Sequence, residues 1–365
     1  MNPIADTLLM GPGPSNVRDS VAQAMALPTV GHLDPRFIGI MDEVKEMLRT
    51  VFRTTNDLAI PISGTGSAGM EACFVNLIEP GDAVLVLQNG VFGVRMADVA
   101  ERLGANVNVQ EFEWGTPVIV DTAATAIANR SYKIVAVVHA ETSTGVRNPV
   151  EELAPLVAAS GALYLVDTVT SLGGLPVDVD GWQADAVYSG TQKCLSCPPG
   201  LAPVTFSNRA REALAARSRK VPNWYLDLSL LTSYWEGAKR SYHHTAPINM
   251  IYGLHQALSD LLDEGLRASH DRHQDAHEYL IDRLQTLGLE LFVDPAHRLP
   301  MLNAVTVPSG VDEAAIRQRL LSDHAIEIGA GLGPLAGKIW RIGLMGHTAR
   351  RESVDRLVTA LGALL

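Results

Sequence analysis

Between residues 58 and 206 the chain alternates short apolar runs with longer stretches whose apolar positions recur every three or four residues. Runs at 58–62, 83–87, 107–111, 134–139, 162–166, 185–188 and 202–206 predict strands, most of them buried. Stretches near 67–78, 92–103, 121–129 and 150–159 predict helices; in the first, Met70, Phe74, Leu77 and Ile78 fall on one side. Pro80-Gly81-Asp82, Gly104 and Ser160-Gly161 punctuate the joins. Such alternation predicts an α/β domain: a mostly parallel, seven-stranded sheet covered by helices. Beyond about residue 246 the pattern changes to a long helical stretch from Met250 to Leu287. Short elements follow at 302–308, 313–322 and 338–343, then a last helix from Arg351 to Leu364. This second region reads as a smaller C-terminal α+β domain. The expected division is an N-terminal segment 1–16, a large domain 17–262 and a small domain 263–365.

Composition narrows the classes. A chain of 365 residues has room for two domains, and 47% hydrophobic residues support a sizeable core. Asp and Glu outnumber Lys and Arg by 40 to 29, for a net charge of −11, which argues against nucleic acid as a partner. No apolar run approaches the ~18 residues of a membrane helix. The start, Met1-Asn-Pro-Ile-Ala-Asp6, lacks the basic region of a signal peptide, and the end is no peroxisomal S-K-L signal. Three cysteines, an odd number, fit a reducing cytoplasm. The expectation is a soluble cytoplasmic enzyme.

Two residues then stand out. Asp167 ends the run Ala162–Asp167, and Lys193 closes Ala184–Lys193. A lysine held by a Gly-Thr-Gln loop can form a Schiff base with an aldehyde, and an upstream carboxylate can keep a pyridine nitrogen protonated. Pyridoxal phosphate needs both. A phosphate site lies upstream, where the strand 58–62 runs into Ser63-Gly-Thr-Gly-Ser-Ala-Gly69 and a helix. A glycine-rich turn opening a helix aims backbone N–H groups and the positive dipole end at an anion, and Thr65 and Ser67 add hydroxyls. The same stretch matches G-x-G-x-x-G through Gly64, Gly66 and Gly69. A dinucleotide site wants a carboxylate at the end of the next strand. That strand ends in Gln88-Asn89-Gly90, so the phosphate reading stands and the dinucleotide reading falls.

Two further patterns invite other chemistry. Cys194 and Cys197 form a C-x-x-C, but the third cysteine is the distant Cys73, and Pro198-Pro199-Gly200 follows where a redox site would open a helix. They read as small loop residues beside Lys193. His270, His273 and His277 share one side of a predicted helix among Asp271, Arg272, Asp275 and Glu278, which reads as a solvated surface. No metal site is expected.

Several short motifs occur in order: Met10-Gly-Pro-Gly-Pro-Ser-Asn16, Ser63-Gly-Thr-Gly66, Asn89-Gly-Val-Phe-Gly93, Glu141-Thr-Ser-Thr-Gly145, Val166-Asp-Thr168, Gln192-Lys193, Tyr242-His-His-Thr245 and Trp340-Arg-Ile-Gly-Leu-Met-Gly346. Together they resemble the alanine–glyoxylate and serine–glyoxylate aminotransferases, class V of the fold-type I pyridoxal-phosphate enzymes. The resemblance runs from residue 8 to the end of the chain. It implies that Lys193 carries the cofactor and acts as the general base, with Asp167 on the pyridine nitrogen. It implies that Thr65, Gly66, Ser67 and Gln192 hold the phosphate, that Phe92 stacks on the ring and that the Thr142 hydroxyl contacts the cofactor. Tyr242 and Thr245 resemble residues that reach the phosphate of the neighbouring subunit, which implies a homodimer with shared active sites. Arg341 matches the arginine that binds the substrate carboxylate, and Gly13 and His32 fall at substrate-binding positions.

The implied reaction passes an amino group from a small L-amino acid to a 2-oxo acid. L-Alanine to glyoxylate is favoured, L-serine is a possible donor, and serine–pyruvate transfer is an alternative. The ureidoglycine–glyoxylate branch is a near rival through Gly31-His-Leu-Asp-Pro-Arg-Phe37 and Gly190–Ser196, but it is expected to carry Gln and Asn where His32 and Tyr242 stand. A cysteine desulfurase needs a mobile catalytic cysteine, and Cys194 and Cys197 follow the lysine too closely. A non-catalytic protein of the same fold is disfavoured because Asp167, Lys193 and Arg341 occur together.

Overall fold

The computed structural model describes residues 6–237 and 239–365. Seven strands build the central sheet: β1 (Leu58–Ser63), β2 (Ala83–Gln88), β3 (Asn106–Glu111), β4 (Ile134–Val138), β5 (Leu163–Asp167), β6 (Ala186–Tyr188) and β7 (Leu201–Phe206). Their spatial order is β1-β7-β6-β5-β4-β2-β3. Strand β7 is antiparallel to both of its neighbours, and the other pairings are parallel. The strands between the edges are buried along nearly their whole length, as apolar runs covered by helices on both faces must be. β3 closes one edge and is largely exposed, which its polar sequence Asn-Val-Asn-Val-Gln-Glu tolerates.

Helices follow the strands: α1 (Pro35–Phe52) before β1, α2 (Gly66–Leu77) after it, α3 (Val91–Arg102) after β2, α4 (Val120–Ala128) after β3 and α5 (Val150–Ser160) after β4. Helix α2 is buried on almost every side. A Cβ added at Gly69 would meet the side chains of Tyr188 and Ala202 at 3.1 Å, so the glycine lets α2 press onto β6 and β7.

The stretch from 250 to 287 is two helices rather than one: α6 (Ile248–Glu264) and α7 (Leu266–Gln285). The break is Gly265, whose φ of 87° lies in the left-handed region. Helix α6 packs into the large core, and α7 joins a second core with α8 (Glu313–His324) and α9 (Arg351–Leu364). Three antiparallel strands belong to this second region, in the order β8 (Leu302–Thr306), β10 (Ile339–Gly343), β9 (Gly329–Ala330). The N-terminal segment belongs here too. Leu8 and Leu9 pair in parallel with Ile326 and Glu327, and Leu8 and Met10 enter the second core. The two regions are thus stitched by chain from the opposite end of the sequence.

The histidines of α7 depart from expectation. His273 and His277 are buried, not solvated. His273 Nδ1 lies 2.6 Å from the Ser269 carbonyl, and Nε2 accepts from the Gly346 N–H at 3.0 Å. His277 Nδ1 lies 2.6 Å from Asn303 Oδ1. These two rings bind α7 to the following region, and Arg272 helps, its Nη1 donating to the Ala349 carbonyl at 3.3 Å.

Candidate active site

The carboxyl ends of β5 and β6 and the start of α2 converge on a cavity of about 220 Å³. Larger grooves exist, including one of about 490 Å³ beside Leu58, Arg211 and Leu228, but they lie on the surface and gather no comparable chemistry.

Asp167 is the last residue of β5 and is buried. Tyr188, its register partner at the end of β6, donates its hydroxyl to Asp167 Oδ2 at 2.6 Å, and the Val169 N–H donates to Oδ1 at 2.7 Å. Burial raises the carboxyl to about 6, against the pull of those two hydrogen bonds and of the Lys193 and Arg95 charges. Lys193 is not a strand residue. It sits in the turn beyond β6 and is only 8% exposed. Burial lowers its amine to about 8; the Arg341 charge pushes the same way, and Asp167 opposes. The N-terminal segment clamps this turn. Lys193 Nζ donates to the Pro12 carbonyl, and Ser15 Oγ donates to the Lys193 carbonyl at 2.8 Å. Gly13 has φ +103°, and a Cβ there would stand 2.5 Å from Nζ.

Thr65, Gly66 and Ser67 line the other end of the cavity. Thr65 is the N-cap of α2, and no side chain caps the helix, so its first N–H groups and dipole face the cavity mouth. Gln192 lines the cavity as well, and its buried Oε1 has no partner. Phe92 and Arg95 come from the first turns of α3. The Arg95 guanidinium lies 5.0 Å from the Phe92 ring centroid, and its Nη1 is 3.4 Å from Ser67 Oγ.

Arg341, on β10, is 7% exposed. Its Nε donates to the Ala330 carbonyl at 2.6 Å and its Nη1 to the Thr142 carbonyl at 3.2 Å. Among the described residues no ion pair includes it. Burial lowers the guanidinium to about 10, while the charge of Glu141 works to raise it. Thr142 is buried beside it.

The structure thus brings Lys193, Asp167, Thr65, Gly66, Ser67, Phe92 and Gln192 onto one cavity, with Gly13 against Lys193 and Thr142 against Arg341. It does not bring Tyr242, Thr245 or His32 there within one chain. Tyr242 is 58% exposed, its hydroxyl 3.4 Å from Thr245 Oγ1 and its ring 4.9 Å from that of His32. Sequence reasoning missed Arg95, Tyr188 and Glu141. Glu141 carried a signal, since it opens the Glu141-Thr-Ser-Thr-Gly145 motif three residues beyond an apolar strand. Arg95 and Tyr188 carried none beyond lying one helical turn and one strand from the chosen residues.

Cys194 and Cys197 are buried, and burial pushes both thiols up to about 12, so neither is a ready thiolate. They pack as small residues beside Lys193.

Comparison with known proteins decides the family. The aminotransferase class-V model matches residues 16–357. The chain belongs to the class-V aminotransferases. A solved alanine–glyoxylate aminotransferase from Nostoc sp. superposes with TM-score 0.98 at 50% identity, covering 99% of this chain and 96% of that one. The (S)-ureidoglycine–glyoxylate transaminase of Bacillus subtilis is 41% identical over 98% of this chain and 90% of its own length. The alanine–glyoxylate aminotransferase of Callithrix jacchus is 42% identical over 98% of this chain and 87% of its own length. As a class-V aminotransferase of fold-type I, the chain uses pyridoxal phosphate. The cavity fits that group. It offers an uncapped helix start for a phosphate, a buried carboxylate for a ring nitrogen, a buried amine for the aldehyde and the half-buried Gln192, whose buried Oε1 has no partner among the described residues.

Proposed function

We propose that this aminotransferase moves an amino group from a small L-amino acid, L-alanine first and L-serine second, to glyoxylate, giving a 2-oxo acid and glycine. The observation that carries the substrate class is Arg341: a buried guanidinium bound, among the described residues, only by carbonyl oxygens and close enough to Lys193 to depress its amine. Such a group calls for a carboxylate, and the fork of a guanidinium holds one in a fixed plane.

When bound, pyridoxal phosphate supplies an electrophilic carbon for amines and a protonated ring that draws electrons from the substrate's α-carbon. The chain does the rest. Asp167, held by Tyr188 and Val169, would keep a proton on the ring nitrogen through its negative charge. Thr65, Gly66, Ser67 and Gln192 would hold the phosphate, Phe92 would cover the ring and the Thr142 hydroxyl would contact the cofactor. Arg341 fixes the substrate carboxylate, so that the α-proton faces Lys193 Nζ. Lys193, with its amine lowered to about 8 by burial, takes that proton as general base near neutral pH. Gly13 keeps the space beside that amine open for a small substrate.

His32 and Tyr242 favour alanine over ureidoglycine, because the ureidoglycine branch is expected to carry Gln and Asn at those positions. Tyr242 is 58% exposed, and Trp224, 62% exposed, stacks at 4.3 Å on His243, the residue that follows Tyr242; these exposed aromatics support a homodimer. In that dimer Tyr242 and Thr245 reach the partner's phosphate site. Among the described residues no helix is long and apolar enough to cross a membrane, and the three cysteines are free and buried; we place the enzyme in the cytoplasm. The break at Gly265 supports a division near residues 262–263.

The test is the visible spectrum of the holoenzyme. L-Alanine alone is expected to bleach the cofactor band, and glyoxylate to restore it. Bleaching by serine or (S)-ureidoglycine but not alanine would move the donor; no response to any amino acid would overturn the reading.

A further inference from the structure

Glu141 is fully buried, and none of the roles above uses it. It stands in a two-residue strand, Ala140–Glu141, paired with Val146–Arg147. Its Oε1 accepts from the Ser143 N–H at 3.1 Å and from Ser143 Oγ at 2.6 Å. Its Oε2 accepts from the Phe92 N–H at 3.2 Å. Ser143 Oγ in turn accepts from the Val91 N–H at 3.0 Å. These bonds answer a specific deficit. Helix α3 begins at Val91 behind Gly90, an N-cap with no side chain, so its first N–H groups have no local acceptor. Glu141 and Ser143 supply the acceptors from a different part of the chain and set a negative charge at the positive end of the helix.

Gly90 makes this approach possible. A Cβ there would stand 2.5 Å from Glu141 Cγ and Cδ and from Ser143 Oγ. Its φ of 176° is ordinary extended backbone, so space, not conformation, is what the glycine provides. The carboxylate also has a job only an ion can do. Its two oxygens receive donors from both sides, and an amide would present N–H to one of them. Burial, with the Asp167 charge acting the same way, raises the carboxyl to about 7 even against the lowering effect of those hydrogen bonds.

We propose that Glu141 is a positioning residue for the cofactor: it caps α3 across the fold and thereby sets the Phe92 ring over the cavity. The proposal rests on the reading of Phe92 as the residue that stacks on the cofactor ring. Glu141 touches the backbone of Phe92 and does not line the cavity; its charge also reaches Asp167 and Arg341, so the share of its effect that passes through the ring is the share that disappears when the Phe92 ring is removed.

The test is a double-mutant cycle on cofactor affinity and visible circular dichroism. Holoenzyme is stripped of pyridoxal phosphate and retitrated for wild type, Glu141→Ala, Glu141→Gln, Phe92→Ala and the pair Glu141→Ala/Phe92→Ala. Glu141→Ala is expected to raise the cofactor Kd roughly tenfold, as loss of a charge-assisted bond would, and to change the sign or size of the visible band. Glu141→Gln, which keeps one acceptor and is the safer variant for folding, is expected to fall between the two. In the Phe92→Ala background the further loss from Glu141→Ala is expected to vanish. An equal loss in both backgrounds, or a Glu141→Ala protein with lower Tm but unchanged Kd and dichroism, overturns the proposal and leaves a purely structural carboxylate. Wild-type protein that takes up no pyridoxal phosphate would instead sink the cofactor reading itself.

Discussion

A lysine that must serve as a base near neutral pH has to lose its proton more readily than lysines in water do, and in this chain burial supplies the push. The same burial leaves a mark on stability. In the folded chain the Lys193 amine titrates at about 8, whereas unfolded it titrates near 10.5. Between those values the unfolded state binds more protons, so the Lys193 contribution to stability rises with pH. The cost of burying the charge is therefore full below about 8 and relieved toward 10.5. Cofactor-free protein compared with Lys193→Met by urea denaturation is expected to gain relative stability from pH 8 to 10, by at most about 3 kcal/mol. A flat difference would mean the amine titrates normally. In the presence of cofactor, Lys193→Ala is expected to retain pyridoxal phosphate and lose turnover altogether. Arg341→Lys keeps the charge but not the fork, and KM for the amino donor is expected to rise about 10–100-fold with a smaller change in kcat. An unchanged KM would remove Arg341 from the substrate site.

At the scale of elements, Gly265 is the clearest lever. It ends α6 and starts α7 with φ 87°, and no atom lies within 4 Å of where a Cβ would stand. Gly265→Ala therefore tests conformation alone. A loss of about 1 kcal/mol is expected, read as a Tm lower by a few degrees with cofactor affinity unchanged. The sequence pattern missed this break because apolar positions keep their helical spacing through it: Leu258, Leu261, Leu262 and Leu266 read as one stripe. The strands were far more legible. Every sheet strand but the polar edge strand β3 is an apolar run bounded by Gly, Pro or polar residues, and each of the seven appears within a residue or two of its expected place. His273 and His277 misread because their neighbours Asp271, Arg272 and Glu278 suggested water, while the partners that bury them, Gly346 and Asn303, lie far along the chain. Helices before residue 58 left no expectation at all, though Asp34-Pro35 is an N-cap followed by proline at the first helical position. The site divides in the same way. Thr65–Ser67, Asp167 and Lys193 announce themselves by motif at strand ends, whereas Glu141 matters through Phe92, 49 residues away in sequence.

For the whole molecule the open quantity is what completes the cavity. One chain brings the lysine, the carboxylate and the helix start together but leaves Tyr242 and Thr245 on its surface. His244, between them, lies 3.1 Å from Ser63 Oγ, so the segment rests against the chain's own glycine-rich turn while its aromatic end faces outward. In the proposed twofold dimer that end would reach a second copy's phosphate site. Shared sites make a sharp prediction. One subunit carries Lys193→Ala; the other carries Tyr242→Ala with Thr245→Ala and a different affinity tag. If Tyr242 and Thr245 serve the partner, the heterodimer holds one site with both defects and one native site. Purified through both tags and assayed at low free cofactor, it is expected to show about half the wild-type activity, although the Lys193→Ala parent is inactive and the Tyr242→Ala/Thr245→Ala parent binds cofactor weakly. If the two residues serve their own chain, each site of the heterodimer has one defect, and activity stays at or below that of the weaker-binding parent. Sedimentation of the holoenzyme as a monomer would end the shared-site reading before the mixing experiment began.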